Sequence, residues 1–410
     1  MTTLLNIWFL CLALAAAMAY RWVSPRLGTD GRAWVLSAVS VGFLWKFGAL
    51  SAHAGEFALW LAAGIGLALL TRRAPSRGRG LVLLVAVAVL VAVMMVFRYP
   101  NYTAALAGEH PTLRGLAAMG WIGLSFASFR AVDMLMAARS ERTRSFSPAV
   151  ALAYLLYFPP VIAGPINRFA PFAKDLEAGP APFTRAEARI LCFRFAIGAV
   201  KLVVLSRLAW YWSIPGLPAD LDGIGRWQAI LGVYAYFAYI YFEFAGYTDM
   251  VIAVSALFGV RMPENFTFPL LAVNIQDFWN RWHISLSQWC RDHIFFPLVA
   301  TIARRWPAVP PLAGAMASIV VTFLFIGTWH GDSLNWVLYG LYHGAGLSLW
   351  MGWRKALRRF APAVEERLDR SRLAKAVAIA MTASFVSWGL LLTLSLPQAR
   401  RIIEISFSAG

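Results

Sequence analysis

Along most of this chain, apolar residues run uninterrupted for about the length of a helix that crosses a bilayer, which takes about 20 mostly apolar residues. Charge-free runs that meet or approach that length are 1–20, 57–71, 80–97, 145–167, 306–329 and 376–399. In others, charges interrupt the run: 33–52 carries Lys46, 115–138 carries Arg130 and Asp133, and 188–212 carries Lys201 and Arg207 besides Arg189 and Arg194 in its first part. Residues 227–260 have room for one span and a second, broken one, with Glu243 and Asp249 in the middle. Residues 333–353, marked by His343, form another. The pattern predicts an all-α integral membrane fold with about ten or eleven spans, a single polytopic domain over 1–410.

Two stretches break the pattern. "FPPVIAGPINRF", 158–169, sets three Pro and a Gly where a span should continue. Irregular backbone at that depth is tolerated only when protein buries it or it lines a cavity. "NIQDFWNRWHISLSQWCRDHIFFPL", Asn274–Leu298, carries two Asp, two Arg, two His and three Trp.

Projected as one helix from Asp277 to Asp292, the second stretch puts Phe278, Trp279, Trp282, Leu286 and Trp289 on one side. Asn280, His283, Ser287 and Arg291 form a second row, and Arg281, Ser285, Gln288 and Asp292 a third. Such a helix is about 24 Å long, short for a span, so it either lies in the interface or dips into the membrane shielded by other helices. An interfacial helix carries Lys or Arg across its polar face. Here Asn, His and Ser are mixed with both charge signs, which favours the shielded reading.

Composition agrees with the membrane class: 60% of residues are hydrophobic, 14% are charged, and mean hydropathy is +0.62. The net charge of +17 sits in short loops between apolar runs, as in cytoplasmic loops, and no basic segment interleaved with aromatics suggests nucleic acid. Residues 1–20 carry no charge ahead of the apolar run, so they read as an uncleaved first helix with its N-terminus outside rather than a signal peptide. Arg-rich loops at 21–32, 72–79 and 139–144 then fall on one, cytoplasmic side. The basic segment 354–372 reads as a cytoplasmic amphipathic element. Cys11, Cys192 and Cys290 make neither a disulfide framework nor a metal-type spacing.

His330 follows directly on the charge-free run 306–329, and an ionisable group at such a place is a functional-site candidate. The competing reading is an interfacial His beside a belt Trp, here Trp329. His343 reads as a packed or interfacial histidine. A neutral imidazole can take a proton from a hydroxyl and make it a nucleophile toward an activated acyl group. The chain has no G-x-S-x-G elbow, no H-E-x-x-H signature and no P-loop, so direct transfer with His as base is the economical mechanism, with no bound cofactor or metal.

The segments "YFEFAGYTDMVIAVSALFGVRMPENFTFPL" (241–270), "FWNRWHISLSQWCRDHIFFPL" (278–298) and "FIGTWHG" (325–331), with 158–169, resemble the membrane-bound O-acyltransferase family in its bacterial branch of alginate O-acetylation and teichoic-acid D-alanyl transfer proteins. The resemblance covers a core of about 120–345. It implies a ring of membrane helices with short re-entrant helices around a central tunnel, in the bacterial inner membrane. It implies His330 as the catalytic histidine and His283 as the second histidine of the site. Asp277, Asn280, Trp282, Ser287, Arg291 and Trp329 would support them or bind substrate.

The implied donor is a cytoplasmic acyl thioester, acetyl-CoA or an acyl carrier protein. The implied acceptor is an envelope glycan or an outer-face partner transferase, and membrane lipid surrounds the whole. Glu243 stands where this branch usually has Asp, and "FFPLVATIARRWP" replaces a Gly-Gly-Asn-Arg-like loop of the acetylating members. With "FRAVDML" (129–135), that leans toward D-alanyl transfer. Two other function classes stand beside it: a transporter that uses Glu243 and Asp249 as a proton path, and a non-catalytic scaffold for an outer-face transferase.

Overall fold

The computed structural model describes residues 7–46, 54–75, 77–98, 124–139, 146–161, 163–218 and 221–407. Parts of the predicted spans 1–20, 33–52, 115–138 and 145–167, namely 1–6, 47–52, 115–123, 145 and 162, lie outside the described residues, as does 140–144 of the Arg-rich loop 139–144. The chain divides into two compact units, Met1–Ala199 with Tyr247–Pro263, and Val200–Gly246 with Glu264–Gly410.

The first unit contains α1 (Ile7–Val23), α2 (Thr29–Lys46), α3 (Ala54–Arg73), α4 (Arg79–Arg98), α5 (Leu124–Arg139), α6 (Pro148–Leu156), α7 (Phe169–Ala178) and α8 (Arg185–Val200). A π-helical turn, Lys201–Leu205, carries the chain into α9 (Ser206–Trp212) of the second unit. There follow α10 (Arg226–Leu257), whose residues from Tyr247 on belong to the first unit, and then α11 (Ile275–Arg281), α12 (Ile284–Cys290), α13 (Phe296–Arg305), α14 (Pro311–His330), α15 (Leu334–Phe360), α16 (Pro362–Arg370), α17 (Arg372–Gly389) and α18 (Leu396–Phe407) of the second.

The architecture is all-α, and the only β pairing among the described residues is an isolated bridge between Phe266 and Trp282. Among the described residues, four helical segments are long and apolar enough to cross a membrane by length and composition: Trp8–Arg26, Arg226–Leu257, Pro311–His330 and Arg372–Thr393.

Two predicted spans come out differently. Residues 227–260 are not one span plus a broken one, because α10 runs unbroken for 32 residues. Residues 145–167 are not a span, because α6 ends after nine residues, just before Phe158-Pro159-Pro160. Proline lacks an N–H and disfavours helix in the residue before it.

The irregular stretch after α6 is almost entirely buried, and side chains satisfy its backbone. Tyr247 Oη accepts from Ala163 N and donates to the Pro159 carbonyl, both at 3.3 Å. Tyr154 Oη donates to the Asn167 carbonyl at 2.8 Å, and Arg130 Nη1 donates to that of Tyr157 at 3.2 Å. Asp133 accepts from Phe169 N at the start of α7 and pairs with Arg168, both at 2.7 Å. The charges that interrupt the 115–138 run therefore serve this break, as a buried backbone without water requires.

In the second unit, buried Ile214, Val233, Leu391 and Ile402 form a core that joins part of α10 to the C-terminal elements. α14 and α15 pack tightly through glycines. A Cβ at Gly340 would collide with the Phe323 carbonyl oxygen, and one at Gly327 with that of Trp336. Small residues at such crossings let helix backbones approach closely in a membrane.

Candidate active site

The stretch Asn274–Leu298 is not one helix. Asn274 caps α11, its Oδ1 accepting from Asp277 N at 2.8 Å. The helix stops at Arg281 because Trp282 turns extended and His283 takes a left-handed conformation, φ 44° and ψ 50°. The extended residues pair with a distant strand-like segment: Thr267 N donates to the Arg281 carbonyl and Ile284 N to that of Asn265, both at 3.0 Å. Asn265 Oδ1 accepts from Ser285 N and Oγ and so holds the first turn of α12. The α12 helix then passes through a π-helical turn, Arg291–Phe295, into α13. A helical projection across Trp282–His283 therefore misplaces the two halves relative to each other.

Trp282 is buried in an aromatic cluster with Phe266, Phe237 and Phe278 at ring-centroid distances of 5.1, 5.5 and 5.5 Å. It clamps the break. The His283 ring is 4% exposed and meets Phe244 edge to face at 4.8 Å. Burial pulls the His283 imidazole down to about 3, and the His330 ring lies close enough for its charge to add to the effect. His283 is thus a neutral imidazole at physiological pH, with one ring nitrogen to donate and one to accept.

His330 ends α14, delivered by the close α14–α15 crossing. Its ring sits 4.5 Å from buried Trp329, stacks on Trp336 at 5.2 Å, and meets Tyr339 edge to face at 6.3 Å. A Cβ at Gly331 would run into the Trp336 indole, so the glycine lets that ring reach His330. Phe244, Trp336, Tyr339 and Asn265 are parts of the site that sequence reasoning missed. Trp336 and Tyr339 stand in the apolar run 333–353, where an aromatic ring carries no signal of its own.

His343 is packed, as expected, and fully buried. It lies 4.6 Å from Tyr339 and 5.2 Å from Trp279 between ring centroids. Among the described residues neither of its ring nitrogens has a hydrogen-bond partner.

The other anticipated residues are spread around the break. Asp277 accepts from Val273 N at 3.1 Å and pairs with Arg281 at 2.7 Å, so its carboxylate secures α11. Ser287 donates to the Trp282 carbonyl at 3.4 Å. Asn280 and Arg291 are exposed. The described residues contain no group of three His, Cys, Asp or Glu placed to hold a metal.

Residues 79–385 match the membrane-bound O-acyltransferase family. The chain belongs to that family. It is a multi-pass membrane O-acyltransferase by class. A teichoic acid D-alanyltransferase of Bacillus subtilis is 31% identical over 278 residues, 66% of this chain and 68% of that protein. A probable alginate O-acetylase of Pseudomonas aeruginosa is 29% identical over 382 residues, 89% of this chain and 67% of that protein. A peptidoglycan O-acetyltransferase of Helicobacter pylori is 32% identical over 226 residues, covering 53% of this chain and 41% of that protein. The chain thus spans about two thirds or less of the length of these relatives.

Proposed function

We propose that this chain moves a small acyl group, acetyl or D-alanyl, from a thioester donor on the cytoplasmic side to a hydroxyl on a cell-envelope polymer or an outer-face partner protein. The proposed setting is a bacterial inner membrane. The observation that carries the reading is the pairing of His330 with a buried, neutral His283 inside an aromatic wall, in a chain of this family.

In the proposed step, His330 takes the proton of the acceptor hydroxyl while its oxygen attacks the acyl carbonyl carbon. A tetrahedral oxyanion forms, and its collapse breaks the carbon–sulfur bond. The leaving thiolate takes the proton back from His330, so charge and protons balance. A neutral His283 can donate its N–H toward the developing oxyanion or hold the acceptor. Such a donor, fixed in a dry site, stabilises charge more than it would in water. Asn280 and Arg291, exposed on either side of the break, are proposed to meet the incoming substrates.

The transporter reading is weakened by where the carboxylates point. Asp249 is held by Arg194 at 3.0 Å, and Glu243 is hydrogen-bonded to Tyr239. A relay needs groups that can release these partners.

The test is transfer of labelled acyl group from donor thioester to acceptor in membranes carrying the wild type or His330→Ala. Normal transfer by the variant would sink the assignment. Offering acetyl and D-alanyl donors in parallel distinguishes the two chemistries.

A further inference from the structure

The basic segment at the end of α15 is not used by the site described above. There, α15, α16 and α17 enclose a groove of about 1230 Å³. This exceeds the ~300–1,000 Å³ of ordinary small-molecule sites. Its walls are apolar: Trp350, Trp353, Leu357, Leu373, Met381 and Phe385. Three of them, Trp353, Leu373 and Met381, are more than half exposed, which suits contact with hydrocarbon rather than water.

The rim is charged in one sense. Arg354, Lys355, Arg358 and Lys375 line the groove with a single acid, Asp369. Arg354 is bound to Asp369 at 3.0 Å and to Glu365 at 2.6 Å, and Arg358 reaches Glu365 at 3.1 Å. These pairs fasten α16 against α15. They also absorb two of the four positive charges. Lys355 and Lys375 are exposed and leave the rim with two cations in excess. A concave apolar surface under an uncompensated cationic rim is complementary to a molecule with a long hydrocarbon tail and an anionic head.

We propose that this groove is a binding site for an anionic glycerophospholipid of the surrounding leaflet. Its acyl chain lies along Leu373, Met381 and Phe385, and its phosphate is held between Lys355 and Lys375. The groove is also lined by Asn274, Ile275 and Gln276, the start of α11. The bound lipid therefore touches the helix that leads to the Trp282–His283 break.

The test uses the full-length purified protein in nanodiscs of equal parts dioleoylphosphatidylglycerol and dioleoylphosphatidylcholine, with retained lipid counted by native mass spectrometry after transfer to detergent. The wild type is expected to retain phosphatidylglycerol in preference to phosphatidylcholine. The Lys355→Gln/Lys375→Gln double variant is expected to lose about thirtyfold in phosphatidylglycerol affinity, from two cations near the membrane surface. Ala378→Trp, which fills the groove and keeps every cation, is expected to lose retention too.

The proposal is overturned by equal retention of both lipids, or by unchanged retention in the double variant or in Ala378→Trp. It is equally overturned if glycerol 1-phosphate alone displaces the lipid at matched concentration, since the site would then bind a free anion. These readouts do not depend on acyl transfer. Should the double variant fail to fold, Ala378→Trp decides the outcome.

Discussion

Asn265 Oδ1 accepts two hydrogen bonds from Ser285, one from the backbone N at 3.2 Å and one from the hydroxyl at 2.7 Å. Both residues are buried, and this pair fixes the first turn of α12 immediately after His283. The left-handed conformation of His283 is unusual for a residue with a Cβ, so something must hold it. Asn265→Ala leaves two buried donors unpaired and should cost about 2–4 kcal/mol, at about 1–2 for each. Ser285→Ala removes one bond with its donor and should cost about 1 kcal/mol. Thermal unfolding midpoints in detergent should fall in that order. Turnover should fall more in Asn265→Ala than in Ser285→Ala, because the imidazole loses its anchor.

His330→Ala should lower acyl transfer by about 10²–10⁴, the range of general base contributions. His283→Gln keeps a neutral donor and should lose less. Burial holds His283 down to about 3, so it stays neutral as pH falls from 8 to 5 and takes up no proton in that window. The acid limb of the wild-type rate profile should then remain at the same pH in His283→Gln while the plateau drops. A limb that shifts or vanishes in this variant would show that His283 is the titrating group.

The membrane class was legible because it leaves a local mark, long charge-free runs, and His330 stood out as a candidate because it follows one of them. The break between Trp282 and His283 left none. Its cause lies in Asn265 and Thr267, which pair with residues 281–285 from the far side of α11. The same holds for Ala163 and Pro159, whose backbone partner Tyr247 lies in α10. The proline cluster announced a break but not what satisfies it. Asp277 shows what a place in sequence leaves open: it stands near His283 along the chain, and its carboxylate pairs with Arg281, four residues on. Aromatic partners such as Phe244 and Trp336 are invisible to periodicity, since an apolar ring on a membrane helix looks alike whether it faces lipid or a histidine.

The α14–α15 crossing should be intolerant of any added carbon. At Gly340 a methyl group meets the Phe323 carbonyl oxygen, which belongs to helical backbone and cannot rotate away. Gly340→Ala should therefore force the helices apart and cost about 1–3 kcal/mol, as overpacking does. The better helix propensity of Ala, about 1 kcal/mol, recovers part of that. Since His330 ends α14 and Tyr339 and Trp336 belong to α15, the separation should also lower turnover in folded protein. Gly352→Ala on the same helix, where the nearest neighbour is the tip of the flexible Met316 side chain at 3.9 Å, should be neutral or stabilising. Unfolding midpoints and rates for the two variants, measured side by side, separate packing from propensity.

The Tyr247 hydroxyl carries two backbone groups of the broken segment at once, the Ala163 N–H and the Pro159 carbonyl, in a place 0% exposed. Water cannot substitute easily there, so Tyr247→Phe should cost about 2–4 kcal/mol, at about 1–2 for each orphaned group. The ring itself is retained, which keeps the packing volume and isolates the hydrogen bonds. The loss should concentrate in the segment between α6 and α7 rather than spread through the unit. Amide hydrogen exchange is the measurement: Ala163 should lose protection by about 30-fold to 10³-fold, while the amides of α3 keep theirs. Uniform loss across both would mean that the hydroxyl supports the unit as a whole and that the break is held by Tyr154 and Arg130.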